Sequence, residues 1–486
     1  MSLHSKRKRT TIAAAVMVLF VATGYLGNES AFADEKPAVN KEIVSPYQAY
    51  TYDLMSEHIR KLAEAYPELI QVKSIGKTAY GKEIIAVKLG KGEASVLIDG
   101  SQHAREWMGT NLILYMIDRY AYAYEHNMKY GDYVVRELLD HCSIWFIPMV
   151  NPDGVTLQQK GLDAFPEGAR PGLLSMNGGS ADFSRWKANA QGIDINRQYP
   201  AEWTGIRYST KYPMYKNYKG SEPAETAEAQ SMIRFTYDAD PEIALSYHTS
   251  GRVLYWHFHT KPENLERDRK MAATLSGMTG YSVVKPEDYP SGGGFTDWFI
   301  AQFGRPGFTA ELGPYHEETA LPLWTFTDIW AENQTMGLYL ASEGYKLSRQ
   351  RYPIETVENK FQLLESVKLY NRPNESFPTG GETPAGPVVS DARMGGWFRI
   401  STWLGTKWVH LDKASYLQGH TEKFVQEIEL QDATPLFKRP GAENQEPAGM
   451  LTPQNIGTLE RWNDWVLIHT WGGDFWIPYK KRTEAQ

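Results

Sequence analysis

Val96-Leu-Ile-Asp-Gly100-Ser-Gln-His103-Ala-Arg-Glu106-Trp-Met-Gly109 is the stretch that decides the fold. Its first five residues are a short apolar run closed by glycine, the pattern of a buried strand. From Glu106 to Tyr124 (EWMGTNLILYMIDRYAYAY) apolar residues recur at helical spacing. A strand therefore gives way to a helix, and His103 and Glu106 stand at the changeover. Two later segments repeat the form. Ile243-Ala-Leu-Ser-Tyr247 ends at His248, and Pro306-Gly-Phe-Thr-Ala310 leads into Glu311. Three candidate site elements thus lie at the C-terminal ends of expected strands, the edge of an open α/β sheet where ligands bind. An isolated H-x-x-E arises easily by chance in a chain with 12 His. Three unrelated surface residues would not share this placement. His103, Glu106 and His248 make a ligand set for catalytic zinc that leaves one position open for water. Glu311 is a further carboxylate suited to act as general base.

Working outward, helical and strand patterns alternate from about Ser45 to Arg349. That favours an α/β fold, with a mixed, largely parallel sheet and helices on both faces. Helices are expected at Tyr50–Ala65, at Ala224–Tyr237 with Pro223 marking its start, and at Ala320–Leu347. Ser143–Val150 reads as a strand closed by a turn, Asn151-Pro-Asp-Gly154. Between Gly154 and Pro223 the chain is rich in Gly, Asn, Tyr and Trp with little periodicity, and such long irregular stretches are usually functional. His257-x-His259 would place two imidazoles on one strand face, but no third ligand accompanies them.

The chain has 486 residues, too many for one ordinary domain, and a formal net charge of −7. Lys6-Arg-Lys-Arg9, the apolar run Ile12–Leu26 and Ala31-Phe-Ala33 read as a secretory signal peptide over residues 1–33. The run is short for a membrane anchor, so no transmembrane anchor is expected in the mature form. Cleavage would remove four basic residues and Glu29, which makes the remainder more acidic and leaves no basic block for nucleic acid. Asp34 to about Val44 reads as a lead-in. Cys142 is the sole cysteine, so no internal disulfide is expected, and it reads as a buried small hydrophobe. These features suit a secreted, cell-wall-associated protein.

The last part of the chain repeats itself. Leu369-Tyr-Asn-Arg-Pro373 returns as Leu436-Phe-Lys-Arg-Pro440. Trp397-Phe-Arg-Ile-Ser-Thr-Trp403-Leu-Gly-Thr-Lys-Trp408-Val returns as Trp465-Val-Leu-Ile-His-Thr-Trp471-Gly-Gly-Asp-Phe-Trp476-Ile. All three Trp recur in place. Alternating segments with Pro/Gly-rich turns point to two small all-β, barrel-like repeats at 361–413 and 428–480. The pattern resembles bacterial Src-homology-3-like wall-targeting modules, which implies cell-wall binding. The alternative is that the Trp residues only fill the repeats' cores.

With these motifs in order, residues 45–349 resemble zinc carboxypeptidases of the carboxypeptidase A type. The resemblance implies one zinc held by His103, Glu106 and His248, with Glu311 as general base. Asp194-Ile-Asn-Arg197 matches the family's D-x-N-R motif. It implies that Arg197 and Asn196 clamp a substrate carboxylate, and that Asp194 accepts the N–H of His103. Arg105 would line the cleft near the metal. Tyr289, in Tyr289-Pro-Ser-Gly-Gly-Gly-Phe-Thr-Asp-Trp298, would close over the substrate. Thr296 falls where the family sets side-chain preference.

In one respect the chain departs from that pattern. Where typical members carry an oxyanion-stabilising Arg, it reads Ser184-Arg-Trp-Lys187-Ala-Asn189; Lys187 aligns there, with Arg185 close by. The stretch W-K-A-N-x-x-G-x-D-x-N-R resembles the branch that cleaves γ-D-glutamyl–diamino acid bonds, which implies a muropeptide substrate. The alternative is a general secreted metallocarboxypeptidase removing C-terminal residues from ordinary peptides. An inactive wall-binding protein would be expected to lack a ligand, the base or the clamp, and none is missing.

Overall fold

Ten strands build the first part of the computed structural model, and their order follows from which are apolar throughout. They are β1 (Ile70–Lys77), β2 (Glu83–Leu89), β3 (Ala94–Gly100), β4 (Lys129–Tyr130), β5 (Tyr133–Val134), β6 (Cys142–Ile147), β7 (Ala244–Thr249), β8 (Val253–Tyr255), β9 (Ser282–Val283) and β10 (Gly307–Leu312). Eight of them form one sheet in the order β1-β2-β6-β3-β7-β10-β8-β9. The central four, β6-β3-β7-β10, run parallel. β1, β2 and β8 pair antiparallel toward the edges. Every residue of β3 is buried, as a strand covered on both faces requires.

Period-two alternation divides the core. Val96 and Ile98 join Leu245, Phe308 and the helices Met108–Glu125 and Met336–Arg351 on one face. Leu97 and Ala244 join Met232 and Phe235 of helix Ala227–Ala239, and Phe295 and Phe299 of helix Phe295–Phe303, on the other. This is the mixed, largely parallel sheet with helices on both faces. Cys142 is fully buried, as a small hydrophobe should be.

Several local expectations need correction. Asn151–Gly154 is not a free turn but the start of helix Pro152–Lys160. The Asn151 side chain accepts the Gly154 amide at 2.9 Å and Pro152 stands at the first helical position. The helix expected from Ala224 begins at Ala227, because Ala224 has a left-handed backbone (φ 55°) and Thr226 caps the helix through the Ala229 amide. Pro223 therefore lies outside it. The expected helix over Ala320–Leu347 is two helices, Phe326–Asn333 and Met336–Arg351, parted at Gln334-Thr335. β8 ends at Tyr255, so His257 and His259 do not share a strand face.

Residues after 354 are all β. Strands between Glu355 and Gln418 make a seven-stranded antiparallel sheet; of those between Glu422 and Pro478, five make a second antiparallel sheet, and Thr434–Leu436 pairs separately with Gly449–Leu451. In the first, Trp397 and Trp408 are buried with Tyr370 and Ala392; in the second, Trp465 and Trp476 are buried with Phe437. The middle Trp of each motif, Trp403 and Trp471, sits on a two-residue hairpin tip and is exposed.

The structure describes residues 42–287, 290–375, 377–412, 415–441 and 446–479. The signal peptide expected at 1–33 and the expected lid residue Tyr289 lie outside them. Among the described residues no helix is long and apolar enough to cross a membrane.

Candidate active site

His103 and Glu106 occupy the turn between β3 and helix Met108–Glu125. Ser101 there takes a left-handed backbone (φ 54°), and the Glu106 amide donates to the His103 carbonyl at 3.1 Å. The turn brings His103 Nδ1 to 2.9 Å from Glu106 Oε2. His248 arrives from β7, next in the sheet; its Nδ1 is 3.0 Å from His103 Nδ1 and 2.9 Å from Glu106 Oε2. All three side chains are buried, and they are the one such cluster among the described residues.

This donor set fits a zinc ion. The His103 Nε2 edge faces Asp194 Oδ1 at 3.1 Å, and a proton donated there leaves Nδ1 as a lone-pair acceptor. Acceptor nitrogens and a carboxylate oxygen converging within 3.0 Å in a buried site repel one another unless a cation lies among them. Burial opposes ionisation of Glu106, but the two imidazoles hold its carboxyl well below the usual carboxylate range.

Glu311 stands beside this cage. It is the register partner of His248 in the parallel β7/β10 pair. Alternation turns Thr309 and Glu311 away from Phe308, Ala310 and Leu312, toward the same side as His248. Burial pushes the Glu311 carboxyl up to about 7. His248 counters that push, the Glu106 charge adds to it, and Lys187 and Arg105 oppose it. A half-buried proton acceptor with a raised pKa at the cleft wall, beside the metal cage, is suited to general-base work.

Asp194 links the remaining polar groups. It caps the short turn Ile195–Arg197, accepting the Asn196 amide at 3.2 Å. Its Oδ2 is 3.0 Å from Lys187 Nζ and 3.3 Å from Arg197 Nε. Burial would raise its pKa, but Lys187, His103 and Arg197 together hold it well below its ordinary value. Asn196 accepts the Phe295 amide at 2.9 Å and places Nδ2 3.5 Å from His248 Nε2. His103, Lys187, Asn196, Arg197, Thr296 and Glu311 all line one cleft of about 390 Å³.

Two further arginines near the site have partners of their own. The exposed Arg185 guanidinium pairs with Glu318 and is not in the cleft wall, so Lys187 is the cation that faces it. Arg105 donates to the Arg185 carbonyl at 3.0 Å and lies 4.0 Å from Glu318, and its charge reaches the Glu311 carboxyl. Asn151 is a positioning residue that the sequence pattern concealed. Its Nδ2 donates to the carbonyls of Gln102 and Ala188, both at 3.1 Å, tying the loop of His103 to the loop of Lys187. Its signal, N-P-D-G after a strand, is shared with ordinary turns. Gly154 is required in the same corner, since a Cβ there would lie 2.5 Å from the Ala188 carbonyl oxygen.

Fold, cage and the adjacent Glu311 carboxylate together define a zinc metallopeptidase. The chain belongs to the zinc carboxypeptidase family, whose model matches residues 55–336. It is 34% identical over 302 residues to gamma-D-glutamyl-L-diamino acid endopeptidase 1 of Lysinibacillus sphaericus, covering 62% of this chain and 73% of that protein. It is 31% identical over 294 residues to the uncharacterized protein YqgT of Bacillus subtilis (strain 168), covering 60% and 76%. The crystal structure of thrombin activatable fibrinolysis inhibitor superposes with a TM-score of 0.52 at 18% identity, covering 64% of this chain and 78% of that one, and shows the same fold.

Proposed function

We propose that this zinc peptidase is exported and hydrolyses γ-D-glutamyl–diamino acid bonds in peptidoglycan stem peptides, and that its C-terminal repeats hold it on the cell wall. The observation that carries this reading is the Lysinibacillus relative, a protein named for its action on that bond type. The basic n-region, apolar run and Ala31-Phe-Ala33 support export. Repeated exposed Trp on two linked units supports attachment to a polymer with many equivalent sites.

Bound zinc supplies Lewis-acid polarisation of the scissile carbonyl and eases deprotonation of water. Glu311 takes a proton from the attacking water on a carboxylate oxygen and returns it to the departing amine. Lys187, held by Asp194, faces the oxygen that gains charge and stabilises it as a point charge. The fork of Arg197, fixed by Asp194 through Nε and by the Arg207 carbonyl through NH1 at 3.0 Å, presents its remaining N–H groups to a substrate carboxylate. Asn196 stands beside it.

Mass spectrometry of purified stem peptides after incubation with the protein tests this reading. Release of the diamino acid, or of a short peptide beginning with it, from L-Ala-γ-D-Glu-diamino acid stems is expected. Efficient trimming of ordinary C-terminal residues with intact γ-glutamyl bonds would instead mark a general carboxypeptidase.

A further inference from the structure

A further carboxyl, that of Asp99, lies in β3 on the stretch that leads to His103, and it is fully buried. Its register partner on the parallel neighbour β7 is Ser246. Period-two alternation puts Ser246 and His248 on one face of β7. The Ser246 hydroxyl donates to Asp99 Oδ2 at 2.6 Å. Gln102, the neighbour of His103 in the chain, donates through Nε2 to Asp99 Oδ1 at 2.8 Å. The same Nε2 lies 3.3 Å from Ser246 Oγ, and Gln102 Oε1 accepts the Tyr199 hydroxyl at 3.3 Å. Gln102, Ser246 and Tyr199 are buried like Asp99. Burial pushes the Asp99 carboxyl up to about 6; Ser246, Gln102 and the charge of His248 oppose that push, and the group is ionised at pH 7.

An ionised carboxylate only accepts, so the Ser246 O–H and the Gln102 N–H must both turn toward it. Bonds to a charged acceptor are roughly twice as strong as neutral ones. Each oxygen thus holds one carrier of a metal ligand: Oδ2 the strand of His248, Oδ1 the turn of His103. We propose that Asp99 is a positioning residue for the zinc cage, setting through Ser246 and Gln102 the separation at which His103 and His248 share one ion. The proposal rests on the cage and holds whichever peptide is cleaved. The two Nδ1 atoms stand 3.0 Å apart, and acceptor nitrogens so close repel until a cation lies between them. Their strands must therefore be held together by groups outside the ligand set. A cage gathered in advance has less to order when zinc arrives, and so binds it more tightly. The plain alternative is a buried polar cluster that only stabilises the sheet.

Two measurements on the full chain separate these roles. Competition with a chromogenic chelator reads zinc affinity, and thermal melting of the zinc-stripped protein reads the fold. Asp99→Asn, which keeps the shape and removes the charge, and Ser246→Ala should each bind zinc about tenfold or more weakly than the wild type. Thr236→Val is the control for a lost buried bond away from the cage, since the Thr236 hydroxyl is equally buried and donates to the Met232 carbonyl at 2.7 Å within its own helix. It should lower the Tm of the zinc-stripped protein about as much as Ser246→Ala does, yet keep wild-type zinc affinity. Wild-type affinity in Asp99→Asn and Ser246→Ala would overturn the proposal. So would an equal loss of affinity in Thr236→Val, because zinc binding would then follow overall stability and not the spacing of the ligands. If Asp99→Asn does not fold, Ser246→Ala and Gln102→Met, each of which removes one of the two donors, decide by the same two readings.

Discussion

Glu311 and Glu106 are the same residue type a short distance apart, yet burial and neighbours push their carboxyls in opposite directions. Glu106 faces two imidazoles and stays ionised as a ligand; Glu311 stands half-buried in the cleft wall beside them, and desolvation pushes its carboxyl up to about 7. Glu311→Gln should therefore retain about one zinc per chain by elemental analysis while losing roughly 10³-fold or more in kcat. His103→Ala and His248→Ala should lose the metal itself. Near-wild-type turnover for Glu311→Gln would remove it as the base. A third carboxyl, Glu228, gives a pH signature in stability. It is buried at the start of helix Ala227–Ala239, where burial pushes it up to about 7 from its ordinary 4.5, and it accepts from Asn189 Nδ2 at 3.4 Å. A carboxyl raised on folding favours the native state least once it must ionise, so its cost grows between about pH 4.5 and 7 and stays above that. Glu228→Gln should raise stability by roughly 1–3 kcal/mol at pH 8 and change little at pH 4, read from denaturant melts. An equal gain at both values would show that ionisation is not the cause.

At the scale of elements, the parallel strands β3, β7 and β10 deliver His103, His248 and Glu311 to one edge, but the loops that complete the site are held by side chains. Asn151 fastens two of them at once through Gln102 and Ala188. Asn151→Ala should destabilise the fold by about 1–3 kcal/mol and also lower kcat, because the neighbours of its two acceptors are His103 and Lys187. Loss of stability with unchanged kcat would show that the loops hold their places without it. This corner also shows why pattern reading stopped short. Asn-Pro-Asp-Gly has turn chemistry in any setting, and only the helix that follows it makes Asn151 a cap. The break at Gln334-Thr335 is hidden for a similar reason, since neither residue is a helix breaker and the apolar spacing runs on through it.

At the scale of the whole molecule, the repeats pack back on the chain that precedes them. Asn374 Nδ2 donates to the Lys91 carbonyl at 2.7 Å, Arg372 pairs with Asp140 at 3.5 Å, and Trp462 Nε1 of the second repeat donates to the Gln418 carbonyl at 2.8 Å. Each repeated motif buries its first and last Trp and leaves the middle one in solvent, with Trp403 74% and Trp471 102% exposed. Trp403→Ala/Trp471→Ala in the full chain should weaken cosedimentation with insoluble peptidoglycan about tenfold or more, with Tm unchanged. Undiminished cosedimentation would assign wall attachment to another surface.

His103-Ala-Arg-Glu106 and the two W-x5-W-x4-W runs are legible in the chain alone, because local spacing fixes which residues share a turn or a strand face, whereas Asp194-Ile-Asn-Arg197 is recognised only by its resemblance to the family's D-x-N-R motif. Strand polarity and the edge that carries the site followed from the same apolar runs. The chain order does not say which cation faces the cleft. Lys187 and Arg185 are two residues apart, and the choice falls to Lys187 because Asp194 draws it inward while Glu318, from far along the sequence, draws Arg185 out. The same holds for Asp99, whose partner Ser246 comes from far along the chain and meets it only once β7 has packed beside β3.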